Sequence, residues 1–151
     1  MTTKSEIITL LESHIEELHN QVELIVSRYW NAVLLMERDR PGAKNRNKLR
    51  LRSVKDGNSI RAEWVGVSWT GKSKDGKLFE KKDHITKPAT SFGYTLTKLY
   101  KYAHEWEKPI VEETETSLVR IRQEAHHLTR ALISLGHAQK IEDKRKVEAG
   151  Q

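Results

Sequence analysis

The chain has 151 residues, no cysteine, 36% apolar and 32% charged side chains, and a formal net charge of +6 with a pI near 9.5. That length suits a single domain (residues 1–151), while the high charged and low apolar fractions favour an elongated, partly helical-hairpin shape over a compact globule. The missing cysteines exclude disulfides and thiolate metal sites and fit a reducing compartment; with no long apolar run and too polar a Thr3–Leu11 stretch for a signal peptide, a cytoplasmic protein with no membrane partner is expected.

Thr3-Lys4-Ser5-Glu6 has the spacing of a capping box, in which the Thr3 hydroxyl and the Glu6 side chain satisfy each other's backbone N–H groups. A helix over 4–38 follows. Ile8, Leu11, Ile15, Leu18, Val22, Ile25, Tyr29, Ala32 and Met36 recur three and four residues apart, a heptad stripe with acidic residues between its members. Arg40-Pro41-Gly42 ends it, because proline excludes the helical conformation from the residue before it.

The charge is regional. From Arg40 to Lys87 there are fourteen Lys or Arg against five Asp or Glu, whereas the rest of the chain holds thirteen against sixteen. Lys44, Arg46 and Lys48 lie in a polar loop at the start of this stretch and can reach phosphates. Apolar and basic residues then alternate in Leu49-Arg50-Leu51-Arg52 and from Ile60 to Trp69, the period of a strand. An antiparallel sheet is expected over 48–87, with turns at Lys55-Asp56-Gly57-Asn58 and Lys74-Asp75-Gly76-Lys77.

Register can be argued for the first hairpin. A Gly57-Asn58 loop sets Arg52 opposite Glu63 and Leu51 opposite Trp64, whereas an Asp56-Gly57 loop sets Arg52 against Arg61, so the first is preferred. One face then carries Leu49, Leu51, Ile60, Ala62 and Trp64, and the other Arg50, Arg52, Arg61, Glu63, Val65, Val67 and Trp69. A third strand near Lys77–Thr86 has Phe79 and Ile85 as inward anchors, with Lys82 and His84 outward; its register is not set by its residues.

After a connector at Pro88–Gly93, Thr95 caps a short helix over 95–107 that covers the sheet with Leu96, Leu99, Tyr100, Ala103 and Trp106. Pro109 opens the last helix, 109–141, whose stripe of Val111, Thr114, Leu118, Ile121, Ala125, Leu128, Leu132 and Leu135 repeats the heptad. Residues 142–151 read as a frayed tail. The fold class is thus α+β, two long heptad-patterned helices bracketing a basic two- to three-stranded antiparallel sheet with a short covering helix. The helices can pair antiparallel within one chain or between two chains as a homodimer.

No catalytic constellation, cofactor-binding motif or metal-ligand spacing stands out, since the histidines offer at most two-ligand sets such as His14 with Glu17. The chemistry points instead to polyanion binding. A two- or three-stranded ribbon fits the major groove, where Arg can bind guanine O6 and N7 together. Candidate DNA-binding residues are Arg50, Arg52, Arg61 and Trp69 on the sheet, Lys72, Lys74, Lys77, Lys81 and Lys82 in the second hairpin, and Lys44, Arg46 and Lys48 before it. Burial of the same face through Val65, Val67 and Trp69 is the competing reading.

The Tyr29-Trp30 pair, the strands Leu49-Arg50-Leu51-Arg52 and Ile60-Arg61-Ala62-Glu63-Trp64, the Lys98–Trp106 segment and the Glu- and Arg-rich helix after it resemble the MobI-type conjugative-transfer proteins, from about Glu23 to Lys140. The resemblance implies a non-enzymatic accessory factor of integrative and conjugative elements and related plasmids. Its implied partners are double-stranded DNA at a transfer origin and a relaxase or other relaxosome protein. No residue roles come with it, so the candidate residues rest on their chemistry. A protein-interaction adaptor using the heptad helices, without DNA contact, is the alternative.

Overall fold

A computed structural model describes residues 1–70 and 79–150. Lys72, Lys74, Lys77 and the second Lys-Asp-Gly turn lie outside the described residues. Helix α1 spans Lys4–Arg38, its first turn closed by the Thr3 hydroxyl accepting from the Glu6 N–H at 3.2 Å. A single 3-10 turn at Ala43–Asn45 leads to strands β1 (Leu49–Asp56), β2 (Ser59–Thr70) and β3 (Phe79–His84), ordered β1-β2-β3 and antiparallel throughout. Short helix α2 (Leu96–Tyr100) and helix α3 (Lys108–Ala149) complete the α+β fold.

The first hairpin has the register argued from charge: Arg52 stands opposite Glu63, and Leu51 opposite Trp64. Gly57 supplies positive φ (59°) while Asn58 does not, the pattern of a turn whose first central residue must be left-handed. Because side chains alternate, Leu49, Leu51, Ala62 and Trp64 all face the helices and are buried with Leu18, Val22 and Tyr29 of α1 and Val111, Leu118 and Ile121 of α3. Tyr29 meets Trp64 edge-on at 5.0 Å between ring centroids. Helices α1 and α3 pack along each other, and the Lys4 ammonium lies 2.9 Å from the Glu142 carboxylate, so the heptad seams close antiparallel within the chain.

Two buried carboxylates tie these layers together. Glu115 of α3 accepts from the Trp64 indole N–H (2.9 Å), the Tyr94 backbone N–H (2.7 Å) and both terminal nitrogens of Arg122 (2.8 and 3.0 Å). The same two Arg122 nitrogens also donate to the carbonyls of Phe92 and Ala62. Every charge in this cluster is therefore paired and hydrogen-bonded, the condition under which burying it is tolerable. Glu107, wholly buried at the start of α3, accepts from Asn47 Nδ2 and from the backbone N–H groups of Lys48, Leu49 and His104. Burial raises its pKa, against the opposing pull of those N–H donors.

Glu107 also begins the treatment of the sheet edge. Leu49 directs its backbone groups away from β2, since the neighbouring Lys48 carbonyl accepts from Val67 N–H at 2.7 Å. Its N–H is taken by Glu107 and its carbonyl by the Tyr29 hydroxyl, and the Leu51 carbonyl accepts from the Trp30 indole N–H at 3.0 Å. Side chains from both long helices thus occupy positions that a foreign strand would otherwise use.

Three expectations are corrected. The covering helix is only Leu96–Tyr100 rather than 95–107; the chain turns beyond it, where the Glu107 carboxylate takes the His104 N–H and the Tyr102 ring lies on Gly66 so closely that an added Cβ would come within 2.4 Å of it. The last helix does not end at 141 but continues to Ala149, with Gln139–Asp143, Glu142–Lys146 and Lys4–Glu142 contacts along its final turns. Ile85 is buried, but Phe79 is 58% exposed, because the helices pack on β1 and β2 and leave that end of β3 uncovered.

Removing one partner from a buried ion pair strands the other, at a cost of about 3–5 kcal/mol. Arg122→Ala is therefore expected to lower stability by roughly that amount in urea unfolding, and a decrease below about 1 kcal/mol would contradict the assignment. Lys4 and Lys146 hold the Glu142 carboxyl down at about 2. A carboxyl with a lowered folded pKa adds stability above its unfolded value of 4.5 and loses it as pH falls toward the folded one. Acid unfolding followed by circular dichroism should thus lose part of its dependence between those two values in Glu142→Gln, with identical profiles counting against the ion pair.

Candidate nucleic-acid interface

The face of the sheet turned away from the helices collects the basic residues. The Lys48–Val67 bond extends the ladder one residue beyond β1, so Arg46, Lys48, Arg50 and Arg52 fall on one side by simple alternation. Arg61 joins them from β2 and Lys82 from β3, where Lys82 stands opposite Val67. Among the described residues this face carries six Lys or Arg and three carboxylates, Asp56 at the turn end and Glu63 and Glu80 among the basic residues.

Glu63 and Glu80 organise the arginines. Glu80 takes Arg50 through both oxygens, at 2.5 and 2.7 Å, and has Lys82 at 3.8 Å. Glu63 accepts from Arg52 Nε (3.1 Å) and Nη2 (2.9 Å) and has Arg61 at 3.6 Å. The Arg52 Nη2 atom also lies 3.2 Å from His84 Nε2. The side chains of Arg52 and Arg61 remain about half exposed, at 52% and 51%. Ion pairs this open to water are worth at most about 1 kcal/mol, so a stronger anion can displace them.

Trp69 has cations on its ring. The Arg46 guanidinium stands 4.8 Å from its centroid and that of Arg50 5.8 Å, while its indole N–H points to the Asn47 carbonyl at 3.5 Å. With Trp30, Glu37, Arg46, Asn47 and Arg50 it lines a shallow cavity at the β1 side of the face. On its other flank a hollow of about 500 Å3 brings Lys44, Lys48 and Lys101 together beside Trp69 and Tyr102.

The competing reading of this face is half right. Val65 and Val67 are buried, at 7% and 1% exposure, but they lie outside the core shared with the helices. Their neighbours are Arg50 and His84, Lys48 and Lys82, and Trp69, whose long side chains close over them. The face therefore has an apolar floor under a charged layer, and among the described residues no helix sits on it.

Not every candidate gathers here. Lys81 is exposed but stands opposite Ser68, on the side away from the arginines, and Lys44 sits in the 3-10 turn at the edge of the face. Lys101, Glu80 and His84 were absent from the candidate residues. The alternation that places Arg46 and Lys48 with Arg50 is legible in the chain, but Lys101 reaches Trp69 only through the turn after α2, which no local pattern announces.

Among the described residues no helix is long and apolar enough to cross a membrane. No curated protein and no solved structure matches the chain. The model of the MobI protein family matches residues 18–136, which takes in most of α1, the whole sheet, α2 and most of α3. With that match covering well over half of its length, the chain belongs to the MobI family, and its membership points to a role in conjugative mobilisation.

Proposed function

We propose that this protein is a non-enzymatic accessory factor that binds duplex DNA at an origin of transfer through the outer face of its sheet and so assists a relaxase in the relaxosome. The observation that carries the reading is the set of Arg46, Lys48, Arg50, Arg52, Arg61 and Lys82 on a face that no helix covers among the described residues. Three strands at about 4.8 Å spacing make a ribbon close to 10 Å across, and the major groove is about 12 Å wide. Phosphate oxygens can replace Glu63 and Glu80 on the arginines, and the released guanidinium groups can address guanine edges. Trp69, already stacked under Arg46, offers a flat surface beside them.

The helices favour a second role alongside the first. Leu24, Leu34 and Leu35 on α1 and Ile133, Ile141 and Val147 on α3 are 55–62% exposed, which suits docking of another protein or a second copy on the stalk.

Anisotropy of a labelled origin duplex would test the site. The Arg50→Ala, Arg52→Ala, Arg61→Ala triple variant should bind about 100-fold more weakly at moderate salt and show a salt slope shallower by roughly 0.9 for each phosphate it no longer neutralises. Unchanged affinity would remove DNA from this face. Glu80→Gln should act in the opposite direction, tightening binding several-fold because Arg50 and Lys82 are freed and one repulsive charge is gone. Weaker binding in that variant would mean that Glu80 itself touches the DNA.

A further inference from the structure

The sheet has a second open edge, and it lies away from the basic face. Antiparallel strands use their backbone groups alternately on their two sides. Because Val67 N–H points to β1, so do those of the other odd-numbered residues of β2, and Ile60, Ala62 and Trp64 direct theirs to the opposite side. Strand β3 pairs with β2 only from Val65 to Thr70. From Ser59 to Trp64 no strand lies beside that edge among the described residues, and of these groups the Ala62 carbonyl is held by Arg122 at 2.9 Å.

This edge opens into a cavity of about 720 Å3, closed on the far side by the connector from Lys87 to Tyr94 and floored by Arg122 and His126 of α3. Its two walls differ in chemistry. Towards the helices it presents Ile60, Ala62, Phe92 and Tyr94, with the Phe92 ring 5.2 Å from that of His126. Towards the outer face it presents Arg61 and Glu63, whose carboxylate is held by Arg52, and Lys87 lies at the rim with its ammonium on the Pro88 and Ser91 carbonyls.

The geometry points to this groove as the docking site for an extended acidic segment of a partner protein, added as a strand beside residues 60–64 of β2. The Ile60 N–H and carbonyl and the Ala62 N–H face this space, and groups two residues apart recur about every 6.8 Å, the repeat of a strand that pairs with them. Such a strand would send alternate side chains to the apolar wall and to Arg61, so apolar and acidic residues should alternate in it. A second copy of this chain fits less well, because its own open strand β3 balances Glu80 and Asp83 against Lys81 and Lys82 and has Phe79 as its one apolar residue, so it offers neither net negative charge nor alternating apolar side chains. The inference does not need DNA binding, although Arg61 belongs to both the groove and the arginine face.

The test is a titration of the full-length, 15N-labelled protein with the blocked peptide Glu-Val-Glu-Phe-Glu-Val-Glu, followed by amide chemical shifts. Saturable shifts confined to residues 59–64 and 88–94 are expected. Phe92→Ala should weaken binding about fivefold, and methylation of the peptide's alternate backbone nitrogens about tenfold, since it removes the donors that face the edge. Absence of shifts at about 1 mM peptide, an excess that would reveal even weak binding, overturns the proposal. So does equal binding of the methylated peptide. Shifts of the same amides with oligothymidylate and not with peptide reassign the groove to single-stranded nucleic acid, and shifts that follow protein concentration alone reassign it to self-association.

Discussion

The register of β1 against β2 is the constraint on which the rest of the molecule depends. A slip of one residue would exchange the two faces, sending Arg50 and Arg52 toward Trp64 and the helices and Leu49 and Leu51 into water. Several independent contacts oppose that slip. The Tyr29 hydroxyl and Trp30 indole hold alternate carbonyls of β1 from outside, Glu107 holds the Leu49 N–H, and Arg52 meets Glu63 across the ladder. The long helices therefore do more than pair with each other; their side chains fix where the strand begins and which way it faces.

Much of this was legible in the residues because it rests on short-range periodicity. The heptads of α1 and α3, the Gly57-Asn58 loop and the two faces of the first hairpin follow from spacing and from the cost of opposing like charges. The buried polar side chains were not legible. Glu115 and Arg122 sit among surface-like neighbours on α3, and their burial follows from the approach of β2 and the connector, which are distant in the chain. The role of Glu107 is likewise invisible locally, since its donors at Lys48 and Leu49 lie nearly sixty residues away. Phe79 misled for a related reason. Alternation correctly gives the side of the sheet on which it stands, but it cannot tell whether a helix extends far enough to cover that side.

The outer face combines two features that would conflict in a structural core. It is apolar beneath, at Val65 and Val67, and heavily charged above, so its arginines lie on a dry platform while their ends remain open to exchange. Glu63 and Glu80 keep those ends oriented when nothing is bound and must be displaced or reused when something is. That arrangement trades affinity for order, because guanidinium groups already held in place lose less freedom on binding. Membership of the MobI family supplies the context, conjugative mobilisation, in which a DNA contact of this kind and a separate protein contact on the β2 edge would serve one assembly.

The four tryptophans allow the central claim to be tested with one spectrum. Trp69 lies on the arginine face and Trp64 is fully buried on the opposite side. During titration with an origin duplex, the Trp69 indole N–H signal and the amides of Arg50, Arg52 and Arg61 should shift together while the Trp64 indole stays in place. Shifts clustered instead on the exposed residues of α1 and α3, with Trp69 unmoved, would contradict the account and place the interaction on the helical stalk.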